Sequence, residues 1–299
     1  MASEDTKITG RAGRSKSGDI LSTGLYLVAT PIGNARDITL RALHVLATAD
    51  VVYAEDTRVT AKLFAIHELR RPMHSYREHN AEHAERAILT HLAEGRSVAL
   101  VSDAGTPLIS DPGQRLVEAA VAKGFEIIPI PGPSAVLAAL TASGLATDRF
   151  LFAGFLPARP TERRRAIREV EHIAATLVFF EAPNRLAESL TDFVSLLGSR
   201  SAVVARELTK MHEEITRGSL PELAAQFAAR DEVRGEIVIL IAAPLKDVAV
   251  PSKTDLDQRL RDELKRHPVK DAAAIVAAAL GLPRREVYAR ALELKQQDG

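Results

Sequence analysis

The sequence predicts an α/β protein built as two consecutive α/β domains with a cleft between them, followed by a small helical segment. Three observations carry that expectation. Short apolar runs alternate with stretches of helical periodicity, the pattern of strands joined by crossover helices. The alternation starts afresh after Gly144. Six loops rich in proline, glycine or paired charges fall at the carboxyl ends of expected strands, where open α/β sheets bind ligands.

Residues 1–22 are polar, mixed in sign and without the apolar core of a signal peptide, and are expected to form a disordered tail. The first domain is placed at 23–134. It opens with a strand at GLYLVAT, then helix Thr39–Ala47, strand Val51–Ala54, helix Val59–His67 and a weak strand near Met73–Tyr76. Helix Ala81–Glu94, strand Val98–Val101, helix Pro112–Lys123 and strand Phe125–Ile130 complete it. In VALVSDAGTPLISDPG, at the end of the Val98 strand, Asp111 and Pro112 read as the N-cap and first residue of the next helix. No helix end accounts for Asp103, Gly105, Thr106 and Pro107, which read as a rigid bay that brings bare backbone close to a ligand.

The second domain is placed at 135–244. A helix runs to Ala142, RFLFAGFLP forms a strand, and helix Arg163–His172, strand Thr176–Glu181 and helix Asn184–Leu197 follow. Strands Ala202–Arg206 and Glu213–Arg217 stand too close for a crossover helix and should pair antiparallel, which makes this sheet mixed. Helix Pro221–Ala229 and strand Glu236–Ala242 close the domain. Pro244–Ser252 reads as a linker. Residues 252–299 read as three short helices, the last two joined at Gly281-Leu-Pro283 as in a helix-turn-helix, which either lies on nucleic acid or packs as a cap.

Composition narrows the function. The 299 residues are 46% hydrophobic and 26% charged, as in a soluble globular protein, and no apolar run approaches a membrane span of about 20 residues. The absence of cysteine removes disulfides and thiolate chemistry and makes a cytoplasmic setting the natural expectation. His79 and His83 stand at i, i+4 spacing without an HExxH pattern, so no metal site is expected. With 39 basic and 39 acidic residues the chain as a whole does not advertise nucleic-acid binding, and any such contact must be local. There is no GxGxxG after the first strand, no GxxxxGK[ST] and no GxSxG.

The ordered set VATPIGNARDITLRAL, VYAEDTR, VSDAGTPLISDPG, PIPGPSAVLAAL, FAGFLP, FFEAPNRL and ARELTK resembles the tetrapyrrole methylase superfamily, from about Gly24 to Ala243. Within it the motifs are similar to the branch of ribosomal RNA small subunit methyltransferases. That resemblance implies S-adenosylmethionine (SAM) between the two domains, a homodimer, and methylation of the 2′-hydroxyl of a cytidine in 16S ribosomal RNA. By motif, the cofactor contacts it implies are Pro31, Asp103, Ala104, Gly105 and Pro107, then Ser134, Ala135, Phe155 and Leu156, and Glu207, Leu208 and Thr209. The sequence departs from that branch at Asn184, where His is common, and at Arg77 and Ala81. Amides of Gly105 and of the helix start at Ser134 suit the methionine carboxylate or adenine edge, and Phe155 and Leu156 suit the adenosine.

A ribose hydroxyl is a poor nucleophile, so a base or a cation beside the developing alkoxide should help. The runs Glu55–Arg58 and Arg77–Asn80 and the residues Glu181, Arg185 and Lys210 are candidates. Of these, Asp56, Arg58, Glu181 and Lys210 are the residues expected to act in catalysis. The rival readings are a tetrapyrrole methyltransferase of the same superfamily and a nucleic-acid-binding regulator with a ligand-sensing cleft.

Overall fold

The computed structural model describes residues 20–244, 253–280 and 284–297. Most of the expected tail, the expected linker beyond Pro244, and the turn Gly281-Leu-Pro283 lie outside the described residues.

The first sheet is built from β1 (Gly24–Val28), β2 (Val51–Ala54), β3 (His74–Ser75), β4 (Ser97–Val101) and β5 (Ile127–Ile130), all parallel in the order β3-β2-β4-β1-β5. Alternating side chains of β1 enter different cores: Tyr26 and Val28 pack with α1 (Leu40–Thr48) and Phe64 of α2 (Thr57–Ile66). Leu25 packs on the other face with α3 (Ala81–Ala93) and α4 (Gln114–Ala122). A sheet covered on both faces needs apolar residues throughout, which is why SVALV of β4 is buried at every position. The neighbours β1 and β4 are where the strand order reverses, so their carboxyl ends open the crevice in which such sheets bind ligands.

The second sheet has β6 (Phe150–Phe155), β7 (Thr176–Glu181), β8 (Ser201–Arg206), β9 (Glu214–Ser219) and β10 (Ile237–Ile241) in the order β6-β7-β10-β8-β9. It is mixed, as expected: β8 and β9 pair antiparallel, β6 and β7 parallel, and β10 runs antiparallel to both of its neighbours. On one face lie α6 (Pro160–Val170), α7 (Leu186–Leu197) and α8 (Leu220–Ala228). On the other lies α5 (Ala135–Ser143), whose Val136, Ala139 and Leu140 join Val178, Val203 and Leu240 in a core that also takes Ile32 from the first half.

One expectation is corrected here. Asp111 does not cap α4, which begins at Gln114 with Gly113 as its N-cap. Leu108 and Ser110 adopt left-handed backbone (φ 75° and 68°), so the loop winds before the helix begins. Asp111 is thereby turned toward the crevice.

Beyond Pro244, α9 (Lys253–Leu264), α10 (Val269–Leu280) and α11 (Arg284–Gln297) share a core of their own that includes Leu260, Val276, Val287 and Leu294. The guanidinium of Arg290 reaches Asp257 with two bonds of 2.8 and 2.6 Å and ties the last helix to the first. Among the described residues no helix is long and apolar enough to cross a membrane, and no group of three His, Asp or Glu is placed to hold a metal ion.

Candidate active site

The loops after β1 and β4 are clasped backbone to backbone: Thr30 N donates to Gly105 O at 2.8 Å, and Gly105 N to Thr30 O at 3.0 Å. Gly105 sits at φ 81°, a conformation that favours glycine, and a Cβ there would lie 3.4 Å from Ile32 Cγ2. Its N–H is already engaged by Thr30, so the expectation that this amide is free to hold a ligand is corrected.

Around this clasp lies a cleft of about 420 Å³, within the range of small-molecule sites. The first domain contributes Ile32, Glu55, Asp103, Ala104, Gly105 and Asp111, and the start of α5 contributes Ser134, Ala135 and Val136. Phe155, Phe180, Glu181 and the Gly235–Val238 stretch close the far side. Phe155 is 55% exposed although apolar, and its ring meets that of Phe180 edge-on at 5.4 Å. That is an apolar wall open to a partner.

The floor is acidic. Asp103 Oδ1 accepts from Asp56 N at 2.8 Å and Glu55 Oε2 accepts from Asp103 N at 3.2 Å, which crosses the ends of β2 and β4. Burial raises the pKa of both carboxyls. Asp111 is pushed up to about 6, by burial first and by the charges of Glu55 and Asp103, with the Ser102 hydroxyl offsetting part of it. Its Oδ2 is buried without a hydrogen-bond partner. At the start of α5 no side chain caps the helix, so first-turn amides beside Ser134 remain for an anionic group.

The expected catalytic residues are placed differently from one another. Asp56 is the N-cap of α2: it accepts from Arg58 N at 2.9 Å and pairs with the Arg58 and Arg77 guanidinia at 2.6 and 2.7 Å. Hydrogen bonds from Arg58 hold its carboxyl far below the usual range, and the Arg58 side chain is 80% exposed. Glu181, at the end of β7, lines the cleft but is fully occupied. Its carboxylate accepts from Ala182 N at 2.8 Å, from Arg185 Nη2 at 2.6 Å and from Ser189 Oγ at 2.5 Å. Lys210 Nζ spans Glu207 at 2.7 Å and Glu236 at 3.1 Å. Burial works against its charge, yet those bonds outweigh it and raise its pKa.

The remaining expected contacts divide. Asp103, Ala104, Gly105, Ser134, Ala135 and Phe155 line the cleft. Pro107 borders a small void beside Asp111, while Leu156 and Leu208 are buried in the cores of the second domain. Pro31 stands between Thr30 of the clasp and Ile32 of the wall. Thr209 and Glu207 adopt left-handed backbone (φ 63° and 54°), and Thr209 Oγ1 accepts from Asn34 N at 3.1 Å, joining the two halves. There Gly33 approaches so closely that a Cβ would stand 2.9 Å from Leu208 O. Asn184 is exposed in a 3₁₀ turn, Pro183–Arg185.

The family described as Tetrapyrrole (Corrin/Porphyrin) Methylases matches residues 24–224. The chain belongs to this family. The methylase region is followed by a match to the RsmI C-terminal HTH domain over residues 250–295. Among similar proteins, the ribosomal RNA small subunit methyltransferase I of Mesorhizobium japonicum is 49% identical, over 93% of this chain and 95% of its own. The protein of the same name from Xylella fastidiosa is 47% identical over 88% of this chain and 97% of its own. The methylase fold is shared with solved structures of diphthine synthase (TM-score 0.58, 18% identity, 73% of this chain and 89% of that one). It is shared also with cobalt precorrin-4 methyltransferase (TM-score 0.54, 21% identity, 77% and 98%).

Proposed function

We propose that this chain methylates RNA of the small ribosomal subunit with SAM as donor, at the 2′-hydroxyl of a cytidine ribose. The observation that carries the reading is the 49% identity over 93% of the chain with a relative named as a methyltransferase of small-subunit ribosomal RNA. The cytidine and its 2′-hydroxyl rest on the motif resemblance.

The cleft suits such a donor on physical grounds. SAM is a cation at sulfur with an ammonium, a carboxylate and an adenosine, and when bound it supplies an electrophilic methyl group. Glu55, Asp103 and Asp111 offer negative charge to the cationic centres, the α5 amides beside Ser134 suit the carboxylate, and Ile32, Phe155 and Ile237 offer apolar cover. The protein's contribution to the displacement is alignment of the hydroxyl and exclusion of water. With a pKa of about 6, Asp111 exchanges its proton near neutrality, so the floor holds a group able to take up a proton at working pH. Glu181 and Lys210, each engaged within its own wall, act as positioning residues.

Alkaline hydrolysis tests the assignment, because the 2′-hydroxyl is the nucleophile in RNA cleavage. Unmethylated small subunits incubated with the protein and methyl-labelled SAM should gain one alkali-resistant step at a cytidine. Label on a base, or on a tetrapyrrole and not on RNA, overturns the substrate.

A further inference from the structure

Helix α6 carries more positive charge than its place in the fold requires. Within ARPTERRRAIR, residues 158–168, five arginines stand against one glutamate, in a chain whose formal charge is balanced. Only Arg163 and Ile167 of the helix are buried. Ile167 enters the core beneath the second sheet, and Arg163 is gripped by Asp192 at 2.6 Å and Glu188 at 3.3 Å on α7. Those two residues fasten the helix.

The other four, Arg159, Arg164, Arg165 and Arg168, are exposed. Arg159 pairs with Glu162 at 3.3 Å and Arg165 with Glu169 at 3.6 Å, with arginine side chains 83% and 78% exposed. Such pairs contribute about 0–1 kcal/mol each. Their position works against the helix as well. Arg159 is the N-cap and makes no capping bond, and Arg163–Arg165 follow within the first two turns, at the positive end of the helix dipole. Arg164 pairs with Asp192 at 2.7 Å and Arg168, in the last turn, suits the dipole, but helix stability does not account for the cluster of charges as a whole.

Their location does. Phe155, the last residue of β6, lines the cleft, and four residues later the chain reaches Arg159. Arg185 Nη1 donates to Leu156 O at 3.1 Å, which ties this connection to the Glu181 loop at the cleft wall. Arg164 and Arg168 stand one turn apart, about 6 Å, with Arg165 beside them, and guanidinium forks match phosphate oxygens. We infer that the exposed arginine face of α6 carries the phosphate backbone of the RNA strand that enters the cleft. This rests on RNA being the substrate.

The test uses the full chain with purified small ribosomal subunits. Arg164→Gln/Arg165→Gln/Arg168→Gln should lower subunit affinity by about tenfold and flatten the slope of log K against log salt by about 2, given roughly 0.7 per phosphate contact to a single strand. KM for subunits should rise while kcat and SAM affinity hold. Because Arg164 also pairs with Asp192, Arg165→Gln/Arg168→Gln leaves that pair intact and should flatten the slope by about 1.4. The triple Lys variant should restore the slope. An unchanged slope and KM in an enzyme that methylates subunits overturns the RNA path alone. Absence of RNA methylation by the unaltered protein is failure of the substrate reading, and absence of any salt-dependent binding to subunits overturns both. Lost affinity at constant slope points to an acidic protein partner or to packing, and also overturns it.

Discussion

The two walls of the cleft are both rich in carboxylates and treat them in opposite ways. On the second-domain side each acid is clamped: Glu181 by Arg185, Glu207 and Glu236 by Lys210. On the first-domain side Glu55, Asp103 and Asp111 form no ion pair among the described residues, and burial raises all three pKa values. A clamped acid holds the fold in place, whereas a partly buried acid with no ion pair of its own carries electrostatic strain that a cationic ligand relieves, although Arg77 offsets part of it at Glu55 and Asp103. The comparison separates a wall that positions from a wall that binds.

The largest expected effect comes from unclamping the positioning wall. Glu181→Ala leaves Arg185 without its partner and should lower stability by about 3 kcal/mol, read as a fall in melting temperature. Unchanged melting with methyl transfer abolished would move Glu181 to the binding side. Next is the clasp. Gly105→Val forces a branched side chain into φ 81° beside Ile32 and should weaken SAM binding more than tenfold, about 2 kcal/mol by calorimetry, in a protein that still folds. Unchanged affinity would separate the clasp from the ligand.

The smallest effect is the sharpest, because its sign is diagnostic. With its folded pKa raised from 3.8 to about 6, Asp111 binds its proton more tightly in the native state, so stability falls as pH rises through that window. Removing the charge as Asp111→Asn should stabilise the protein by about 1 kcal/mol at neutral pH after allowance for solvent screening, have almost no effect near pH 4, and weaken SAM binding. Urea titrations at the two pH values measure it. A helix cap would show little change in the same variant, because Asn caps about as well as Asp.

Most of the architecture was legible in the sequence, since periodicity separates helices from strands and the seven-residue gap between β8 and β9 leaves no room for a crossover. The family motifs also placed Asp103, Gly105, Ser134 and Phe155 at the cleft. Asp111 was misread because Asp-Pro is a good helix start locally, and two residues in left-handed backbone, which no composition signals, carry the chain past that solution. Gly235–Val238 escaped for a topological reason. The carboxyl-end rule belongs to parallel strands, and β10 is antiparallel, so it offers its amino end, with Ile237 opposite Glu181 and Arg206.

That same strand governs how the protein is made. The first sheet has all its strands once Ile130 has left the ribosome. The second cannot be continuous until Ile241 emerges, because β10, its last strand in sequence, lies in its middle. During synthesis the apolar edges TLVFFE and SAVVAR therefore wait unpaired for the strand that joins them, exposed to whatever extended chain reaches them first. Destabilising changes in β10 should surface first as aggregation of newly made chains, before any loss of activity in the molecules that complete folding.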